Sequence, residues 1–150
     1  MGYINDLRKL VGTRPIIMVG ACVIIIDDKD RILLQLRADN NCWGFAGGSM
    51  EAGETLEEVA TRELKEETGL VANEIELFQI FSGNDLYYKY PNGDEVYNVV
   101  VAFICKNYSG NLKLESNEVK ELKFFEVNNL PSNISQPEIP VINAFMESIE

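Results

Sequence analysis

Three glutamates, Glu63, Glu66 and Glu67, are the residues whose spacing best supports chemistry. They lie in a segment, Thr55 to Thr68, whose apolar residues recur with helical period. On a wheel of about 100° per residue, Leu56, Val59, Ala60 and Leu64 share one arc of roughly 140°. Glu67 falls near the middle of that arc, Glu63 beside Leu56, and Glu66 at its edge. Glu57 lies just beyond the other side, while Glu58 and Arg62 point away. The i, i+3 and i, i+4 relations among Glu63, Glu66 and Glu67 make their side chains neighbours. Carboxylates at a core margin repel one another and lose hydration, which costs several kcal/mol or forces protonation. A hard divalent cation, Mg²⁺ or Mn²⁺, is the natural compensation, because both prefer oxygen ligands. The alternative is a solvated acidic stripe paired with local Lys and Arg.

Composition narrows the remaining chemistry. The 150 residues contain no histidine, which removes Ser-His-Asp and Cys-His catalysts and any His-ligated metal site. Acid–base work falls to carboxylates, Lys, Tyr or Cys. Thirteen basic against 24 acidic residues give a formal charge of −11. Such a chain is poorly suited to a nucleic-acid backbone or an anionic membrane surface. Cys22, Cys42 and Cys105 are odd in number and lack CxxC spacing, so they read as free thiols of a reducing compartment. The first ten residues show no signal-peptide pattern. The longest apolar run, Ile16 to Ile26, is 11 residues long, against the roughly 20 a helix needs to cross a bilayer. A cytoplasmic protein is expected.

Around the acidic helix, the pattern places a helix at Tyr3 to Val11, ended by Gly12 and Pro15. Ile16 to Ile26 and Arg31 to Arg37 read as strands joined in a hairpin by Asp27 to Asp30. Asp39 to Gly53 reads as loop, with Gly47-Gly48 able to let the backbone approach a ligand ahead of a helix N-terminus. Thr55 and Glu58 form a capping-box pattern and Gly69 a helix stop. Strands follow at Glu74 to Phe81, Leu86 to Tyr90, Glu95 to Cys105 and Lys120 to Val127, with a tight turn at Asn92-Gly93. Pro140 to Ile149 is a helix with one apolar face. The mixture argues for an α/β domain with a mixed, largely antiparallel sheet, in one unit over residues 1–150.

Gly48, five residues, Glu54, seven residues, then Arg62-Glu63-Leu64-Lys65-Glu66-Glu67-Thr68-Gly69-Leu70 resembles the complete box of the MutT-like Nudix hydrolase family, with every specified position filled. Arg31 to Arg37 and Trp43 to Gly48 resemble the strand and loop before that box. Glu118 to Phe125, through Leu130-Pro131, resembles the later acidic loop, strand and turn. Ala46 departs from the Pro that many relatives carry before the double Gly. The resemblance implies a Nudix α/β/α sandwich, with a 1–12 N-terminal helix, the box at 48–70 and a 138–150 C-terminal helix. It implies that Glu63, Glu66 and Glu67 bind Mg²⁺ or Mn²⁺ with a carbonyl of Gly47 or Gly48. Arg62 would brace the loop through Glu54, and the general base would be Glu63, Glu115 or Glu118.

The activity implied is hydrolysis of a phosphoanhydride in a nucleoside diphosphate linked to another group: a dinucleoside polyphosphate, a nucleoside triphosphate or a nucleotide sugar. A non-catalytic nucleotide-sensing module is the alternative. The resemblance also leaves a homodimer open. For substrate contacts, Arg37 is expected on phosphate, Gly47 at the ligand, and Phe45 or Tyr88 stacked on a base. Relatives acting on ADP-ribose often have Pro about fifteen residues past the box, where this chain has Asp85. Relatives acting on dinucleoside polyphosphates often have Tyr at the positions where Tyr87 and Tyr88 stand.

Overall fold

The computed structural model describes residues 2–150. Three helices and eight strands form in the order α1 (Tyr3–Val11), β1 (Ile16–Ile25), β2 (Ile32–Arg37), β3 (Trp43–Gly44), β4 (Ala46–Ser49), α2 (Leu56–Thr68), β5 (Val71–Phe81), β6 (Tyr87–Lys89), β7 (Glu95–Ser109), β8 (Val119–Phe125) and α3 (Ile139–Ser148). One sheet runs β4-β1-β7-β5, with β6 also paired to β7; the other runs β3-β2-β8. Among the strand pairs of the described residues, β1 and β7 run parallel and the rest antiparallel.

Alternation along β1 explains the layering. Cys22, Ile24 and Ile26 join the apolar cluster that contains Val141, Ile142 and Phe145 of α3. Ala21, Val23 and Ile25 join the cluster that contains Val59, Ala60 and Leu64 of α2. Successive side chains of a strand point to opposite faces, so a near-continuous apolar run marks a strand covered on both sides. The two helices therefore occupy opposite faces, giving an α/β/α arrangement. Cys22, Cys42 and Cys105 are free, the first and last of them buried. No helix among the described residues is long and apolar enough to cross a membrane.

Two local expectations are corrected. The β1–β2 hairpin does not form beyond a single Ile26–Ile32 bridge. The Asp27 carboxylate accepts hydrogen bonds from the Lys29 and Arg31 backbone N–H groups and pairs with the Arg31 guanidinium, so the turn itself is made. Both edges of β1 are taken by β4 and β7, so β2 must find its partners in the second sheet. The segment Asp39 to Gly53 is also not all loop, since β3 and β4 lie within it. The glycines read as breakers are what lets β4 pair with β1. A Cβ at Gly47 would strike the Ala21 carbonyl oxygen, and one at Gly20 would strike that of Gly48. Glycine in a strand marks such close backbone approach.

Candidate active site

The N-terminus of α2 is fixed by a complete capping box, in which the Glu58 N–H donates to Thr55 Oγ1 at 3.1 Å and the Thr55 N–H donates to Glu58 Oε1 at 2.8 Å. Gly69 closes the other end in the left-handed region at φ 83°. Between these ends, Val59, Ala60 and Leu64 are wholly buried. Complete burial of a Val or Leu side chain contributes about 1.5–3 kcal/mol, so the rotation of the helix about its axis is set by that face. Glu67 shares the face and is carried inward with it, to 6% exposure.

Glu67 Oε1 accepts a hydrogen bond from the Gly47 N–H at 2.9 Å. Burial pushes its pKa up to about 8, the Glu63 charge adds to the rise, the Gly47 N–H and the Gln35 side chain oppose it, and Glu118 adds a smaller push upward. No Lys or Arg pairs with Glu67 among the described residues.

Arg62 organises the other acids. Its Nε and Nη2 donate to the two Glu54 oxygens at 2.7 and 2.8 Å, and its Nη1 donates to Glu63 Oε1 at 2.8 Å. Nη2 also reaches the Ser49 carbonyl at 3.3 Å, and Glu66 lies 3.5 Å from Nη1. The Arg62 hydrogen bonds hold the Glu54 carboxyl down at about 2 against some desolvation, helped by the Glu51 N–H. Burial raises the Glu63 pKa, and the Arg62 pairing opposes that rise. Arg62 thus leaves the apolar face, as the wheel requires, and ties α2 to the loop that precedes it.

The acids do not already converge. Among the described residues, no three metal-ligating side chains surround one point. Glu63 is turned toward Arg62, the Glu66 side chain is 58% exposed and Glu67 points inward. Shared helical spacing made them neighbours without giving them one rotamer. Gly48 sets how close Glu63 can come, since a Cβ there would lie 2.6 Å from Glu63 Cδ and Oε1. Gly48→Ala is therefore expected to displace the Glu63 carboxylate and lower kcat about tenfold or more, with an unchanged far-ultraviolet circular dichroism spectrum. Wild-type kcat in this variant would remove Glu63 from the working site.

These groups open onto a cleft of about 1090 Å³. Arg37, Phe45, Gly47, Gly48, Arg62, Glu63, Glu66, Glu67, Tyr88 and Glu118 all line it. Glu54 lies outside the lining and is paired with Arg62. Glu115 is exposed and does not line the cleft.

The expected base-stacking role of Phe45 is corrected. The residue is 3% exposed and packed in the α3-side core, so although it borders the cleft its ring is not free to stack on a base. Tyr88 is half-buried; its hydroxyl accepts from Asn40 Nδ2 at 2.8 Å, and its ring meets Tyr90 edge-to-face at 4.8 Å. Tyr87 is engaged elsewhere, donating to Glu95 and packing against Tyr97. Arg37 is already paired through two hydrogen bonds with Asp39, at 2.9 and 2.7 Å.

Sequence reasoning missed Gln35, Asp39, Tyr90 and Glu138 in the same cleft. Burial pushes the Glu138 carboxyl up to about 7, with Arg37 and the Phe45 N–H opposing the rise. Gln35 carried a usable signal, a lone amide inside an apolar strand. Glu138, in a polar stretch beside Pro137, carried none.

The family model described as the NUDIX domain matches residues 17–145. The chain belongs to the Nudix family. It is 38% identical over 131 residues to a protein named ADP-ribose pyrophosphatase from Methanocaldococcus jannaschii, a match covering 85% of this chain and 72% of that one. It is 29% identical over 113 residues to the NAD-capped RNA hydrolase NudC of Vibrio vulnificus, covering 73% of this chain but only 40% of that protein. The MutT Nudix hydrolase from Burkholderia pseudomallei superposes with a TM-score of 0.72 at 24% identity, covering 87% of this chain and 98% of that one. In this Nudix chain the box runs from the middle of β4, through the loop and α2, to the residue after the Gly69 cap.

The donor chemistry suits a hard divalent cation, the kind of ion Nudix hydrolases generally use. Glu67 is a buried carboxyl without a cationic partner among the described residues, and the Glu63 and Glu118 charges bear on it.

Proposed function

We propose that this chain hydrolyses a phosphoanhydride bond in a nucleoside diphosphate linked to another group, using Mg²⁺ or Mn²⁺ held by Glu63, Glu66 and Glu67 and the Gly48 carbonyl. The observation that carries the reading is Glu67: a buried carboxyl with no cation beside it among the described residues, on the wall of the cleft. When bound, the cation would offset diphosphate charge and acidify a water molecule. The chain's own residues do the rest. Arg62 and Glu54 hold the pre-helical loop against α2 and keep Glu63 oriented. Glu118 is the proton acceptor in this reading, since Glu63 is occupied by Arg62. Arg37 and Tyr88 hold the part of the substrate beyond the diphosphate.

A nucleotide sugar such as ADP-ribose is the first substrate to try, because a 38% identical relative is named for it. Of the two tyrosines that point to a dinucleoside polyphosphate, Tyr87 is bonded to Glu95, while Tyr88 lines the cleft. We place the activity in the cytoplasm, on the charge balance and the free thiols.

The test is product release from ADP-ribose, a dinucleoside polyphosphate and a nucleoside triphosphate, with Mg²⁺, with Mn²⁺ and with excess EDTA. Turnover with metal, stopped by EDTA and fastest on ADP-ribose, is expected. Turnover that persists in EDTA would overturn the reading. Tight nucleotide binding without turnover would make the chain a sensor instead.

A further inference from the structure

Gln35 occupies a position that the fold reserves for an apolar side chain. On β2, Ile32 and Leu34 face the α3 core and Leu33 faces the α2 core, so Gln35 follows Leu33 onto the α2 side. It is 3% exposed, and its Oε1 is fully buried with no hydrogen-bond partner among the described residues. Its side chain lies on the same α2-side wall of the cleft as the Glu67 carboxyl, whose charged form it favours. An amide in this position can donate to Glu67, and among the described residues its own carbonyl oxygen has no donor. A buried acceptor without a protein partner calls for a donor.

We infer that Gln35 is a positioning residue for the divalent-ion site, its amide N–H group orienting Glu67 and its Oε1 accepting a hydrogen bond from a water of the hydrated ion. Mg²⁺ retains several of its waters when bound, and those waters are donors, the one function Gln35 Oε1 lacks. Outer partners of this kind orient the ligand carboxylate, and their loss costs metal affinity. The inference rests on the proposed cation site and adds a residue outside the Nudix box to it.

The test is a titration of the substrate-free protein with Mn²⁺, followed by electron paramagnetic resonance, on wild type, Glu67→Gln, Gln35→Leu and Gln35→Met. Thermal melts in EDTA are run alongside. Both Gln35 variants are expected to bind Mn²⁺ at least tenfold more weakly than wild type while melting in EDTA at the same temperature or higher. A purely structural Gln35 would do the opposite, lowering the melting temperature and leaving Mn²⁺ affinity intact, and that result would overturn the inference. The methionine variant keeps the length of the side chain, so a leucine variant that failed to fold would not decide the matter. Wild-type protein that binds no Mn²⁺ would instead sink the cation site itself. Wild-type affinity in the Gln35 variants with loss in Glu67→Gln would sink only the role of Gln35.

Discussion

Glu67→Gln is expected to lower kcat by about 10²- to 10³-fold, the range seen when one pre-positioned electrostatic group is removed from a site, and to raise the melting temperature of the metal-free protein. The two effects have one origin. Glu67 is buried by the apolar face it shares with Leu64 and has no Lys or Arg beside it among the described residues. The glutamine has the same shape and can still accept from the Gly47 N–H, but it bears no charge to desolvate and none to oppose Glu63.

The pH dependence has a definite sign. In the folded, metal-free chain Glu67 titrates near 8, against an ordinary value of 4.5. The unfolded chain therefore loses this proton first. Below about pH 4.5 the group costs the fold nothing. From there up to about pH 8, metal-free stability falls as pH rises, and above 8 the loss is complete. Glu138, raised to about 7, adds a decline in the same direction over the lower part of that window. Urea unfolding in EDTA at pH 5, 7 and 9 should show a steeper decline for wild type than for Glu67→Gln, whose remaining slope contains the Glu138 share. Equal slopes would mean that Glu67 is not desolvated. Unchanged kcat would exclude it from the site.

Arg62→Ala is expected to be the second most damaging change, costing about 2 kcal/mol of stability and lowering kcat about 10- to 100-fold. The stability figure sits between the small contributions of exposed ion pairs and the larger penalty of stranding a buried charge, as suits a side chain 30% exposed beside partners at 19% and 15%. The activity figure is typical of losing a group that orients a ligand carboxylate. Without the guanidinium, Glu54, Glu63 and Glu66 face one another with no intervening cation. Arg62→Lys should recover only part of either loss, because an ammonium cannot grip both Glu54 oxygens as the planar fork does. A lysine variant equal to wild type in both measurements would show that charge alone suffices.

Much of this architecture was legible in the residues, for identifiable reasons. The wheel over Thr55 to Thr68 placed Glu67 on the core face and Arg62 off it because the apolar contacts that rotate α2 are local in sequence. The capping box and Gly69 bounded the helix through equally local hydrogen bonds. The fate of β2 was not local. Adjacency in sequence suggested a hairpin, but both edges of β1 were claimed by β4 and by β7, some eighty residues away. The glycines at 47 and 48 read as chain breakers because nothing nearby shows that β1 passes close enough to require them. Phe45 was misplaced for a related reason: an aromatic in a glycine-rich stretch looks exposed until α3 is packed over it. Gln35 was readable as an anomaly, but its meaning needed Glu67 in view.

The three thiols supply an internal gauge of opening. Cys22 sits against the Gly47 backbone beneath the cleft and Cys105 inside β7, whereas Cys42 is only partly covered. An aromatic disulfide reagent added to native protein should modify one sulfur promptly and the other two only as fast as the sheet around β1 and β7 separates. The slow phase then reports the breathing of the scaffold beneath the cleft, without any engineered substitution.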